Sequence, residues 1–359
     1  MGGKKKKVEV VWPSMTTPSS SLNEESGEGE IFQCLPCVDG QEEVEALKEE
    51  EKAPADRIVL PSEVTSFSPE DDSIFIIGTH GLKVTRIAGL GHMQKLTSLV
   101  LRSCLIAEME GVEELLQLER LEIYDNQLVR MSGLEKLSHL TVLDISYNSI
   151  REMVSLSSCP LLEELYIAQN KLRKIEGLAG LRHLKTLDLG ANRIKKIEGL
   201  EDCVALQSLW LGKNKIEVIE GLSDKPLLRQ LDVQCNRLTF ISGLEGLAAL
   251  EELYLANNAI VSSEGVPING HLSTIDLSGN GVKHLTGIEN LTSLEELWMS
   301  GSQIAAFDEL LPLTALPALS CLYLEHSPLA KDFEYRMRIT SMLPSLEQLD
   351  ATSINRSKC

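Results

Sequence analysis

Eleven residues in this chain have types and spacing that could do chemistry. Glu122, Asp144, Tyr166, Asp188, Trp210, Asp232, Tyr254, Asp276 and Trp298 recur at intervals of 22 residues, each in the middle of a short apolar triplet such as "LDI" or "LYI". Tyr323 follows after a small insertion, and Glu296 stands two positions before Trp298. From 144 to 298 carboxylate and ring alternate without a break. Carboxylates in a row can hold a cation, pass protons to a substrate, or pair with cationic groups of another protein. The first two uses need oxygens within a few ångströms of one another. In a stack of strands ~4.8 Å apart, acids on alternate strands sit roughly 10 Å apart. Metal and acid–base chemistry are set aside on that ground, no cofactor is expected, and recognition remains. Trp and Tyr are over-represented among interface hot spots, and large exposed apolar groups mark binding sites. Strand propensity alone also favours rings on an exposed face, but two of the chain's three tryptophans fall in this one column. The residues alone therefore point to a protein-docking surface, non-catalytic, for a partner with basic groups beside apolar ones.

The elements that carry the column are repeats. "LERLEIYDNQL" (118–128) returns as "LTVLDISYNSI" (140–150), "LEELYIAQNKL" (162–172) and "LKTLDLGANRI" (184–194). The series continues through "LQSLWLGKNKI" (206–216), "LRQLDVQCNRL" (228–238), "LEELYLANNAI" (250–260), "LSTIDLSGNGV" (272–282) and "LEELWMSGSQI" (294–304). "LTSLVLRSCLI" (96–106) extends it upstream with Cys104 in the Asn place, residues 75–90 read as an eroded first turn, and "LSCLYLEHSPL" (319–329) closes it with Ser327 in that place. This is the pattern of leucine-rich repeats. It predicts an α/β solenoid, a leucine-rich-repeat horseshoe with short parallel β-strands such as 143–145 on the concave face. The recurring asparagines, from Asn126 to Asn280, are expected to form an amide ladder at the turn leaving each strand. Gly at 111, 133, 177, 199, 221, 243, 265 and 287 marks a tight return half, with Ser155 the one break. Too few residues remain there for long helices, so 3₁₀ or short helical turns are expected on the convex face.

In this reading the middle residue of each triplet points out of the core. The next outward positions are mostly small (Ser146, Ala168, Gly190, Gly212, Ala256, Ser278, Ser300), while Glu164, Glu252 and Glu296 precede the rings. The chain divides into a disordered acidic N-terminal tail over 1–70, a solenoid of about 12 repeats over 71–330, and a C-terminal cap over 331–359. With 43% hydrophobic and only 4% aromatic residues, the core must be aliphatic.

Charge and cysteine usage bound the rest. A formal net charge of -19 disfavours nucleic acid as a partner. No apolar run approaches the ~20 residues that span a membrane, and the start "MGGKKKKVEVVW" lacks the apolar stretch of a secretory signal. Eight cysteines without an export signal read as free thiols in a reducing compartment, so nucleus and cytoplasm are the expected locations. Cys104 and Cys235 lie within the repeat frame and read as structural. Cys34 and Cys37 have the CxxC form, but a zinc site needs a second pair.

"LWLGKNKI" (209–216), "EELWM" (295–299) and above all "YLEHSPLAKDFEYRMRITSMLPSLEQLDAT" (323–352) carry a more specific likeness. Over roughly residues 75 to 355 the chain resembles the protein phosphatase 1 regulatory subunit 7 family, the leucine-rich-repeat regulators of protein phosphatase-1. The resemblance implies a non-enzymatic subunit whose concave face binds the phosphatase catalytic subunit and controls its activity, maturation or location. A further phosphatase inhibitor subunit is a second implied partner. The binding residues it implies fall on Asp144, Tyr166, Asp188, Trp210, Asp276, Glu296, Trp298 and Tyr323. "SGS" (300–302) and Ser327 depart from the family pattern in the loops near Trp298 and Tyr323. A scaffold for a different partner, such as a cytoskeletal or ciliary assembly, keeps the same fold and stays open as the alternative.

Overall fold

The structure is a computed structural model that describes residues 9–10, 57–58, 67–78 and 82–354. Most of the tail expected to be disordered over 1–70, with the Lys4–Lys7 run and the CxxC pair, lies outside the described residues, but Glu9–Val10 and Arg57–Ile58 within it are paired strands, contrary to that expectation. The strands are β1 (Glu9–Val10), β2 (Arg57–Ile58), β3 (Ser73–Ile77), β4 (Leu82–Lys83), β5 (Ser98–Arg102) and β6 (Arg120–Glu122). Then come β7 (Val142–Asp144), β8 (Glu164–Tyr166), β9 (Thr186–Asp188), β10 (Ser208–Trp210), β11 (Gln230–Asp232) and β12 (Glu252–Tyr254). The series ends with β13 (Thr274–Asp276), β14 (Glu296–Trp298), β15 (Cys321–Tyr323), β16 (Gln348–Leu349) and β17 (Thr352–Ser353). Apart from β2 and β4, which pair with each other, all join one 15-stranded sheet, in chain order. The strand expected at 143–145 begins one residue earlier, at Val142.

Each strand is short because its repeat turns the chain out at once. The residue before the ladder position takes a left-handed backbone on every rung, with φ of 56° at Tyr147, 53° at Gln169 and 52° at Ala191. The asparagine that follows holds the turn shut. Asn192 accepts the Leu172 N–H at 2.9 Å on Oδ1, and its Nδ2 donates to the carbonyls of Ile167 (2.9 Å), Leu189 (3.0 Å) and Gly190 (3.2 Å). Backbone groups that a three-residue strand leaves unpaired, and that burial would make costly, are satisfied this way from Asn126 to Asn280. The ladder stops at Ser302, which is fully buried and whose Oγ has no hydrogen-bond partner among the described residues. Ser302→Asn is therefore expected to extend the ladder by one rung and to raise stability by about 1 kcal/mol, read as a higher midpoint in urea unfolding. An unchanged or lower midpoint would show that the rung is closed by packing instead.

The leucines and isoleucines of successive strands share a continuous core, with Leu143, Leu165, Leu187, Leu209 and Leu231 wholly buried. Cys104, Cys159 and Cys203 join it, and Cys235 is also buried. Lys225 is an exception. It occupies the place that Cys203 and Leu247 hold on the neighbouring rungs, is 0% exposed, and its Nζ pairs with Asp224 Oδ1 at 2.7 Å. On the convex side 3₁₀ segments occur at Val112–Glu114, Phe307–Ala315 and Leu329–Lys331. Other rungs reduce this to single i→i+3 bonds, such as Cys203 N–H to Leu200 O at 2.9 Å. The return glycines are needed where rungs approach closely. At Gly243 φ is 69°, and a Cβ there would collide with the Ile219 carbonyl oxygen. Ser155 stands in the same series without a positive φ.

Both ends of the stack are modified. At the first, β3 pairs with β5 so that Phe75 lies opposite Val100, and β1 adds to the outer edge of β3. At the other, helix α1 (Tyr335–Met342) covers the core with Tyr335 and Ile339. The antiparallel pair β16–β17 then ends the sheet. Asp350 ties the cap down, accepting the Leu324 and Glu325 N–H groups at 2.8 and 2.9 Å and the Tyr335 hydroxyl at 3.0 Å. Arg338 lies over the Phe307 ring at 3.7 Å. At two residues, β17 is a poor template for edge pairing.

Candidate functional site

Strand pairing brings the whole predicted column together. Asp144 is paired with Tyr166, Tyr166 with Asp188, Asp188 with Trp210, and Trp210 with Asp232. Asp232 is paired in turn with Tyr254, Tyr254 with Asp276, Asp276 with Trp298, and Trp298 with Tyr323. A period-22 register with no slip is the cause, since a shift of one residue would turn every column member into the core.

The four aspartates share one geometry. Each carboxylate accepts the backbone N–H two residues on, at 3.0 Å from Ser146, 2.8 Å from Gly190, 2.8 Å from Gln234 and 2.8 Å from Ser278. One oxygen is thus held by the turn, which fixes the side chain; Gln234 Nε2 also reaches the second oxygen of Asp232 at 3.1 Å. The rings pack close over these acids. Tyr254 and Trp298 flank Asp276 on alternate rungs, yet their centroids are only 6.3 Å apart, and Trp298 meets Tyr323 edge-on at 6.3 Å. Burial consequently raises the carboxyl groups of Asp144, Asp188 and Asp276 above the usual carboxylate range. Asp232 is pushed up to about 6, first by burial, then by the charges of Asp188 and Asp276. The interleaved rings separate the acids without isolating them.

The flanking acids orient the rings. Glu164 Oε2 accepts the Tyr166 hydroxyl at 3.0 Å, and Glu252 Oε2 accepts those of Tyr254 (2.9 Å) and the amide of Gln230 (3.0 Å). Burial, reinforced by these carboxylates, holds the Tyr166 and Tyr254 hydroxyls protonated well above the ordinary tyrosine range. Trp210 projects furthest, at 46% exposure. Glu296 lies beside Trp298 at the start of the same strand, and Tyr323 receives the Gln348 amide at 2.7 Å.

Glu122 departs from the expectation. It stands in register with Asp144, but it is only 2% exposed and already engaged. Arg102 donates to Oε2 through Nη2 at 2.6 Å and Nε at 2.9 Å, and Arg120 Nε donates to Oε1 at 2.6 Å. A carboxylate neutralised by two guanidinium groups offers little to a partner, so the available acids begin at Asp144. The residues that sequence reasoning missed lie here too. Arg102 sits 5.8 Å from the Tyr124 ring centre, and the Tyr124 and Tyr147 rings meet at a tilt of 49° with centroids 4.9 Å apart. Arg102 and Tyr124 fill the position two residues past the column member, where most other rungs carry small side chains, and that was the available signal. Among the described residues no three His, Cys, Asp or Glu side chains converge to hold a metal ion.

Comparison with known proteins agrees with this geometry. A family model described as leucine rich repeats (2 copies) matches residues 140–180, 160–202 and 182–224, and a second, leucine-rich repeat, matches 227–358. The chain is a leucine-rich-repeat protein. Its solenoid is similar to a leucine-rich-repeat protein of Leptospira interrogans, at TM-score 0.69 and 24% identity, over 78% of this chain and 72% of that one. An internalin of Listeria monocytogenes is similar at TM-score 0.65 and 20% identity, over 79% and 87%. Those likenesses concern the fold alone. A stretch of 48 residues is 44% identical to protein phosphatase 1 regulatory subunit 7 of Xenopus tropicalis, covering 13% of this chain and 14% of that relative's length.

Proposed function

We propose that this leucine-rich-repeat chain is a non-catalytic regulatory subunit that binds the protein phosphatase-1 catalytic subunit on its concave face. It would thereby control that enzyme's activity, maturation or location, in nucleus and cytoplasm, with a further inhibitor subunit able to join. The observation that carries the reading is the column from Asp144 to Tyr323, in which turn-held carboxylates are kept partly dehydrated between rings. Dehydrated acids cost folding free energy, and a basic partner that completes their pairing recovers it. The exposed Trp210 ring and the half-buried Tyr166, Tyr254, Trp298 and Tyr323 rings beside them supply apolar anchors. The short identity with a phosphatase regulatory subunit supports a phosphatase as that partner.

Titration of purified phosphatase catalytic subunit with the full chain tests this. Saturable one-to-one binding that strengthens from pH 5 to pH 7 is expected, because a basic partner pairs with ionised Asp232 and so favours proton release from it. Absence of binding, with tubulin or dynein components recovered from extracts instead, would replace the phosphatase by a cytoskeletal or ciliary partner.

A further inference from the structure

A second surface of opposite charge runs along the solenoid beside the acidic column. Lys171, Arg193, Lys215 and Arg237 each follow the ladder asparagine on four successive rungs. Their backbone N–H groups donate to Ile150, Leu172, Ile194 and Ile216 of the preceding turns, all at 2.8 Å. The four therefore stack in register, about one strand spacing of ~4.8 Å apart. Arg173 with Lys174 and Lys195 with Lys196 widen the strip on two of these rungs, and Lys213 adds to a third. All but the half-buried Lys171 are exposed. Lys174 reaches Glu176 at 3.9 Å. The rest make no side-chain hydrogen bond or ion pair among the described residues.

Like charges stacked on successive turns repel, and no alternation relieves it among these four stacked residues, although Glu217 on the Lys215 rung stands in the place that Arg173 and Lys195 hold. In a chain of net charge -19 this strip is a local reversal of sign. It is also narrow. The concave aspartates border it on one side, and Glu176, Glu198 and Glu220 of the return half border it on the other. A nucleic-acid duplex or a lipid surface laid on the strip would overrun onto those carboxylates. A single extended anionic chain would not. Three strand spacings, roughly 15 Å, match about five residues of extended polypeptide.

We propose that this strip docks a short acidic, Asp- or Glu-rich segment of a partner protein, lying along the solenoid axis while the concave face is occupied. The two faces act independently, since the basic residues lie past the turn that leaves each strand. The inference does not depend on the identity of the concave-face partner.

The test is fluorescence anisotropy of the full chain with a labelled oligoglutamate of about eight residues. Arg193→Glu/Lys215→Glu is the variant, and circular dichroism checks its fold. Saturable binding that weakens with salt is expected, with at least ~10-fold loss in the variant, no binding of an oligoglutamine, and unaltered concave-face binding. The proposal is overturned if the wild-type chain fails to bind, if the variant binds equally well, or if a single-stranded oligonucleotide of equal charge binds more tightly. It is also overturned if binding emerges only when Glu42, Glu43, Glu45, Glu49, Glu50 and Glu51 are all changed to Gln. That outcome would make the chain's own acidic segment the occupant.

Discussion

Trp298→Ala is expected to weaken binding of the phosphatase catalytic subunit about 30-fold, roughly 2 kcal/mol, and Asp276→Lys by at least as much. The two are paired on adjacent strands and act by different physics. Trp298 contributes ring area, preorganised by Tyr254 and Tyr323 at 6.3 Å on either side, so little side-chain entropy is lost on docking. Asp276 contributes charge, and Lys there opposes a basic partner instead of attracting it. Because the residues touch, their effects should not add. Both changes remove packing or a turn hydrogen bond, so thermal unfolding must show that the solenoid survives. Phe240→Ala is the control: that ring is 52% exposed but lies off the column, and affinity should not change. Equal losses in all three variants would point to general damage and not to a docking face.

Asp232→Asn is expected to stabilise the fold at pH 7 by on the order of 2 kcal/mol while weakening partner binding. Burial raises the folded-state carboxyl to about 6, above its unfolded value. The folded chain therefore binds more protons than the unfolded chain between roughly pH 4 and pH 6. The stabilisation attached to the neutral form is present at low pH and is lost as pH rises through about 6. Asn mimics that neutral form and can still accept the Gln234 N–H, so the gain should vanish near pH 4 and grow towards pH 7. Urea unfolding at both values measures it. A stability gain coupled to a loss of affinity marks a residue retained for recognition. Asn that is destabilising at pH 7 would mean that the ionised carboxylate is welcome in the free protein.

Much of this was legible from the residues because a repeat converts position into geometry. Once the period was fixed, Asn192 had to sit beside Asn170 and Asn214, and Asp144 had to face Tyr166. What was not legible depends on side chains reaching between rungs. Glu122 matches its column in type and spacing, yet Arg102 from the previous strand and Arg120 from its own claim it. Lys225 occupies an apolar place, buried, with its Nζ paired to the more exposed Asp224. The leaning of Tyr254 and Trp298 towards each other past Asp276 follows from ring size and sheet curvature, which no spacing rule encodes. The same reach explains why acids two strands apart still raise one another's protonation.

The claim on which everything else rests is that the alternating column is the buried side of a complex. Hydroxyl-radical footprinting of the chain, alone and with the phosphatase catalytic subunit, reads this directly at the rings. Tyr166, Trp210, Tyr254, Trp298 and Tyr323 should become protected together, while exposed Phe240 and Phe333 react as before. Unchanged reactivity along the column in a complex that demonstrably forms, with protection at Phe240 or Phe333 instead, would contradict it.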